Sequence, residues 1–137
     1  MFRRAPVLAA LAVLALVAAG CGVRSSKPFT AAGSAACFTK KGFTHVTTDP
    51  AKLDFIAGFA ENGGLRAKTA DGNVLTVAFA ADDAGAAGTK QAYRSHAPAK
   101  LRPRMNDIME SQRNAVLVWT TSPSAQQLAD AEGCLHQ

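Results

Sequence analysis

From Ala5 to Ala19 the chain is uncharged and built mostly of Ala, Leu and Val, with Pro6 as its one early break, and Arg3 and Arg4 stand in front of it. A stretch with no polar face to turn toward water is a poor helix for a small soluble core. It is also short for a bilayer-spanning helix, which wants about 20 apolar residues at ~1.5 Å rise each. A positive n-region followed by a short apolar run reads instead as an export signal, and residues 1–20 are expected to be removed. What folds must therefore fold from the remainder. With 137 residues in all, 48% hydrophobic and 18% charged, the balance is globular. One domain is expected, because two would each be too small to bury much surface.

Three cysteines then need an account: Cys21, Cys37 and Cys134. An odd number in an exported chain leaves one thiol over. The stretch Val17-Ala18-Ala19-Gly20-Cys21 resembles the lipobox of bacterial lipoproteins. In that family small residues precede a cysteine whose thiol is joined to diacylglycerol before signal peptidase II cuts in front of it. Ala19 and Gly20 fit the pattern, while Ala18 stands where Leu is usual. The resemblance covers only the first twenty-odd residues. It implies lipidation at Cys21, the membrane as a partner through that lipid, and a place on the extracytoplasmic face. The competing reading, cleavage by the ordinary signal peptidase after a residue such as Ala19, releases a soluble secreted protein. If Cys21 is acylated, Cys37 and Cys134 are left as an even pair in an oxidising space, where disulfides persist. A bridge between them closes a loop of about a hundred residues, worth ~4.7 kcal/mol in the chain-entropy description. Two buried free thiols are the alternative.

Residues 21–33 are expected to be a lipid-anchored flexible tether, since Gly22 to Gly33 mixes Gly, Ser, Pro and basic residues without apolar periodicity. A coil of that length reaches about 17 to 21 Å. Arg24 and Lys27 lie where they would meet anionic headgroups.

The folded domain is expected over residues 34–137. Ser34 as a cap, Lys40 and Lys41 in the last turn and Gly42 beyond mark a helix bearing Cys37. The β-branched Thr44 to Thr48 reads as a strand. Asp49, Pro50 and Gly63 bracket a second helix, with Leu53, Ile56, Ala57 and Ala60 on one face. Two strands flank Asp71-Gly72, a strong hairpin signal, and Leu75, Val77 and Phe79 alternate on the greasier face. A helix begun by Asp82 or Asp83 follows, weakened by Gly85 and Gly88. A strand over Ala115 to Thr120, with a short partner before it, and a helix capped by Ser122 complete the chain. The class is α+β: an antiparallel sheet of four to five strands with helices on one face. The order resembles the ferredoxin-like βαββαβ arrangement with an extra helix at each end, a likeness of topology that implies no activity.

No catalytic constellation emerges and no cofactor is expected. His45, His96 and His136 have no second ligand at metal spacing. Asp82 and Asp83 are expected to cap a helix, not to bind a cation. Gly85 to Lys90 does not have the spacing of a phosphate-binding loop. The densest basic patch gathers Arg94, His96, Lys100, Arg102 and Arg104, and it suits either anionic lipid and wall polymer or a solvated loop. Of 15 Lys and Arg, two fall in the signal; the other 13 stand against 10 Asp and Glu, a modest balance of about +3. With one Tyr and one Trp besides, nucleic acid is not an expected partner. The expected role is a small, non-enzymatic envelope lipoprotein that binds a protein or an anionic envelope polymer. A tethered enzyme with a site invisible in sequence and a hydrophobic-ligand carrier are the alternatives. The many alanines permit close helix packing and argue against the cavity a carrier needs.

Overall fold

The computed structural model describes residues 26–137. The signal, the lipobox, Cys21 and the first residues of the tether lie outside the described residues. Its centre is a five-stranded antiparallel sheet in the order β1-β2-β3-β5-β4. The strands are β1 (Thr44–Thr47), β2 (Gly64–Lys68), β3 (Val74–Phe79), β4 (Met109–Gln112) and β5 (Ala115–Trp119). The helices are α1 (Ala31–Lys40), α2 (Phe55–Gly58), α3 (Asp83–His96), α4 (Met105–Ile108) and α5 (Ala125–Gly133). The α+β class is as expected.

Alternation along the strands separates two faces. In register, Leu65 lies opposite Val77 and Ala67 opposite Leu75, while Leu75 meets Trp119 and Val77 meets Leu117. All six are at most 1% exposed. On the opposite face Arg66 pairs with Thr76, Lys68 with Val74, and Thr76 with Val118. The central strands are joined by the expected hairpin, whose Gly72 takes φ +92°, a conformation that side-chain-bearing residues rarely adopt.

Helices pack on both faces, one fully and the other in part, not on one as the sequence suggests. A Cβ on Gly63 would come within 3.0 Å of Ala31 Cβ, which puts α1 over the Leu65 face, and the disulfide brings the end of α5 to α1. A Cβ on Gly64 would strike the Ala57 carbonyl at 2.4 Å, so this glycine lets α2 settle on the other face. Tyr93 of α3 joins α2 there by donating its hydroxyl to Asp54.

The ferredoxin-like order is corrected as well. β1 lies at one edge of the sheet, paired antiparallel with β2, the strand that follows it, whereas the split βαβ order puts another strand between them. The segment between β1 and β2 does not form a crossover helix. It breaks into a 3₁₀ turn (Pro50–Lys52) and the single α-turn of α2. Asp54 causes the break: its carboxylate accepts the Ala57 N–H at 2.8 Å and the Tyr93 hydroxyl at 3.0 Å, so it caps a new helix instead of continuing the old one. Among the described residues only α3 makes a crossover, from β3 to β4, with β5 inserted between them.

The chain also joins the fold earlier than residue 34. Thr30 caps α1, accepting the Gly33 N–H at 3.0 Å, while Ser34 is buried within the helix and accepts the His136 N–H at 3.0 Å. Phe29 is held by the Asn114 side chain through both its N–H and its carbonyl. The C-terminal tail is pinned in return, with the Thr30 N–H on the His136 carbonyl at 2.8 Å. At the last helix the cap is Ser124, not Ser122, because Ser124 and Gln127 close a reciprocal capping box.

Candidate functional site

The bridge between Cys37 and Cys134 is formed, with S–S 2.06 Å and Cα–Cα 5.2 Å across 97 residues. It ties α1 to the end of α5, and Lys41 meets Asp130 at 3.4 Å beside it. Cys134 is fully buried in the core. This pair fastens the fold and presents no free thiol.

Openness is found on the other side of the sheet. On the covered face Leu65, Leu75, Val77 and Leu117 are fully buried, whereas Val74, Thr76 and Val118 on the other are only half-buried. Above them a hollow of about 450 Å³ runs between α2, the last turn of α3, the segment after it and the sheet. Phe55, Ile56, Leu101, Met105 and Val118 give it an apolar wall. Its volume lies in the range of small-molecule sites. Phe55 stands at the lip, 78% exposed, tilted against the equally exposed Phe59 with ring centroids 4.9 Å apart.

Most polar groups of this hollow are already engaged, the exception being the buried indole N–H of Trp119, which has no partner among the described residues. Asp54 is held by the Ala57 N–H and the Tyr93 hydroxyl. Burial, then the negative charge of Asp54, pushes the Tyr93 phenol far above its ordinary range, so it stays a hydrogen-bond donor. Thr120 donates to Asn73 Oδ1 at 2.9 Å and accepts the Val74 N–H at 3.1 Å.

A second hollow of about 610 Å³ opens on the same face and meets the first at Val74. Its walls carry Lys52, Arg66, Lys68 and His45, and no carboxylate lines it. Arg66 and Lys68 alternate with the buried Leu65 and Ala67 on β2. They therefore project together from the open face, about 7 Å apart along the strand.

The basic patch expected from sequence is partly drawn to this site. His96 lines the apolar hollow, and Arg102, whose Nε donates to the Ala97 carbonyl at 3.0 Å, lies beside its rim. Arg94, Lys100 and Arg104 are exposed on α3 and the turns after it and do not line the hollow. Among the described residues no three His, Cys, Asp or Glu side chains gather as a metal set.

The sequence reading missed Lys52, Arg66, Lys68 and Phe55 as site residues. Their signal was present: Phe55 and Phe59 fall off the helix face shared by Leu53, Ile56, Ala57 and Ala60, and two cations alternate with two apolar residues on one strand.

No protein family, curated protein or solved structure matches this chain.

Proposed function

We propose that this chain is a small envelope lipoprotein, anchored through lipid on Cys21, whose folded part is a non-enzymatic binding module on the extracytoplasmic face. The observation that carries the binding role is the open groove on the Arg66, Thr76 and Val118 face. It offers apolar contact area and exposed cations, while the Asp54 carboxylate within it is committed to holding α2 and Tyr93. A disulfide closing nearly the whole domain supports an oxidising compartment.

The groove also favours the carrier reading, in which the bound partner is a hydrophobic molecule. The alanine-rich helices spoke against a cavity, yet α2 is one turn long and leaves the sheet beside it uncovered.

Fractionation of cells producing the wild-type chain and Cys21→Ala tests the anchor. The wild type is expected in the membrane fraction bearing acyl mass, and the variant without that mass. Identical fractionation with no acyl group on the wild type overturns it.

A further inference from the structure

The geometry points to an anionic amphiphile with a single acyl chain as the occupant of this groove, bound as one molecule with its headgroup on Arg66, Lys68 and Lys52 and its chain along Ile56, Leu101 and Val118. This rests on reading the groove as a binding site and adds the chemistry of what it takes.

Five observations meet in it. The cationic and apolar hollows share Val74 and lie on one sheet face, so together they form one amphipathic surface. The cationic half is lined by Lys52, Arg66 and Lys68 and by no carboxylate; Lys52 meets the exposed Asp49 at 4.0 Å, while Arg66 and Lys68 form no ion pair among the described residues, which leaves their charge for a phosphate, sulfate or carboxylate. Arg66 and Lys68 sit two residues apart on one face of β2, a spacing at which both can reach one headgroup. The apolar half has few free hydrogen-bonding groups, because Tyr93 donates to Asp54, which also caps α2, and Thr120 is paired with the Asn73 side chain and the Val74 N–H, leaving the Trp119 indole N–H as the unpartnered one. A peptide laid there would leave its own backbone groups unpaired, whereas an acyl chain has none to satisfy. The exposed Phe55 and Phe59 rings extend the apolar wall at the mouth.

The test uses the chain purified from membranes of the producing cell and transferred to phosphatidylcholine nanodiscs. The probe is lysophosphatidylglycerol carrying a photoactivatable group in its acyl chain, with labelled peptides mapped by mass spectrometry. Labelling is expected on the segments holding Ile56, Leu101 and Val118, and unlabelled lysophosphatidylglycerol should compete roughly tenfold better than lysophosphatidylcholine, the factor for loss of charge-assisted contacts. Arg66→Glu with Lys68→Glu, both exposed, should weaken that competition by a similar factor at an unchanged melting temperature. Lys40→Glu with Lys41→Glu, an equal change of charge on exposed residues at the end of α1, should leave it intact. Equal competition by the two lipids, or labelling confined to other surfaces, overturns the amphiphile. If Arg66→Glu with Lys68→Glu instead abolishes binding of an acidic peptide that protects the same segments, the amphiphile fails and the binding-module reading stands. If neither probe reaches the groove, both fail. Binding to phosphatidylglycerol vesicles without labelling in the groove assigns the cations to a membrane surface and also overturns the inference.

Discussion

Asn114 shows how much of this fold rests on single polar side chains. It is 1% exposed and sits in the tight turn between β4 and β5, where its amide accepts the Phe29 N–H and donates to the Phe29 and Ala80 carbonyls, each within 2.9 Å. Beside it Arg113 takes φ +52°, a left-handed conformation uncommon for a side-chain-bearing residue. Its guanidinium lies 4.2 Å from the Phe29 ring centroid and donates to the Ser26 and Lys27 carbonyls. The two residues together hold the N-terminal segment on the sheet. Asn114→Ala is expected to destabilise the fold by about 2 kcal/mol in denaturant titration, since it removes three hydrogen bonds and leaves the part-buried Phe29 N–H and carbonyl without that partner, while Asn62 still serves the Ala80 carbonyl. A loss below about 0.5 kcal/mol would show that water replaces these bonds without cost.

Asp71 works in the same way at the other end of the sheet. Thr69, then Gln127 and the Asn73 N–H, hold its carboxyl below the usual range, and the Gln126 amide and Lys41 do the same for Asp130. A carboxylate with a depressed folded pKa stabilises above its unfolded value and loses that contribution as pH falls through the lower folded value. Thermal stability should therefore begin to fall below about pH 4. Asp71→Asn with Asp130→Asn should flatten that decline in a pH series of melting curves, and an unaltered acid slope would place the sensitive groups elsewhere.

Among the elements, the ones written most plainly in the sequence are those whose local signals agree. The Asp71-Gly72 hairpin, the strand over residues 115–119 and the helix capped by Asp82 each have pattern, turn chemistry and capping residue pointing the same way, and each forms. The segment after Asp49 had good helical periodicity, but Asp54 carries a competing signal within it and its choice is decided by Tyr93, 39 residues away. The caps at Thr30 and Ser124 are legible too, as cap-forming residue types standing close to Ser34 and Ser122. Ser34 loses its capping role because the C-terminal tail needs its hydroxyl inside the fold. The groove was legible only in fragments: alternating Arg66 and Lys68 and the off-face phenylalanines could be read, but nothing in the order of residues says that α2 stops after one turn and exposes the sheet. Strand order was illegible for a related reason. Helix lengths decide whether a connection crosses the sheet, and α2 is shorter than its pattern.

For the whole molecule the disulfide is the clasp. It joins the first helix to the residue that ends the last, and between them lies the entire sheet. Closing so long a loop mainly removes freedom from the unfolded chain. Cys37→Ser and Cys134→Ser should each cost about 2–5 kcal/mol and by similar amounts, because either loses the same bridge. A markedly larger loss at the buried Cys134 alone would mean that packing, not the bridge, dominates. With its covered face fastened in this way, the molecule can leave the opposite face open without losing its shape, and a tether through Cys21 would keep that face near the source of amphiphilic molecules. Address and binding surface then belong to one design. The measurement that tests this most directly is the intact mass of the protein from the membrane fraction of its producing cell, with thiols alkylated before and after reduction. The account predicts a chain beginning at acylated Cys21 with two thiols that react only after reduction. An unacylated chain, or thiols at Cys37 and Cys134 that react without reduction, would contradict it.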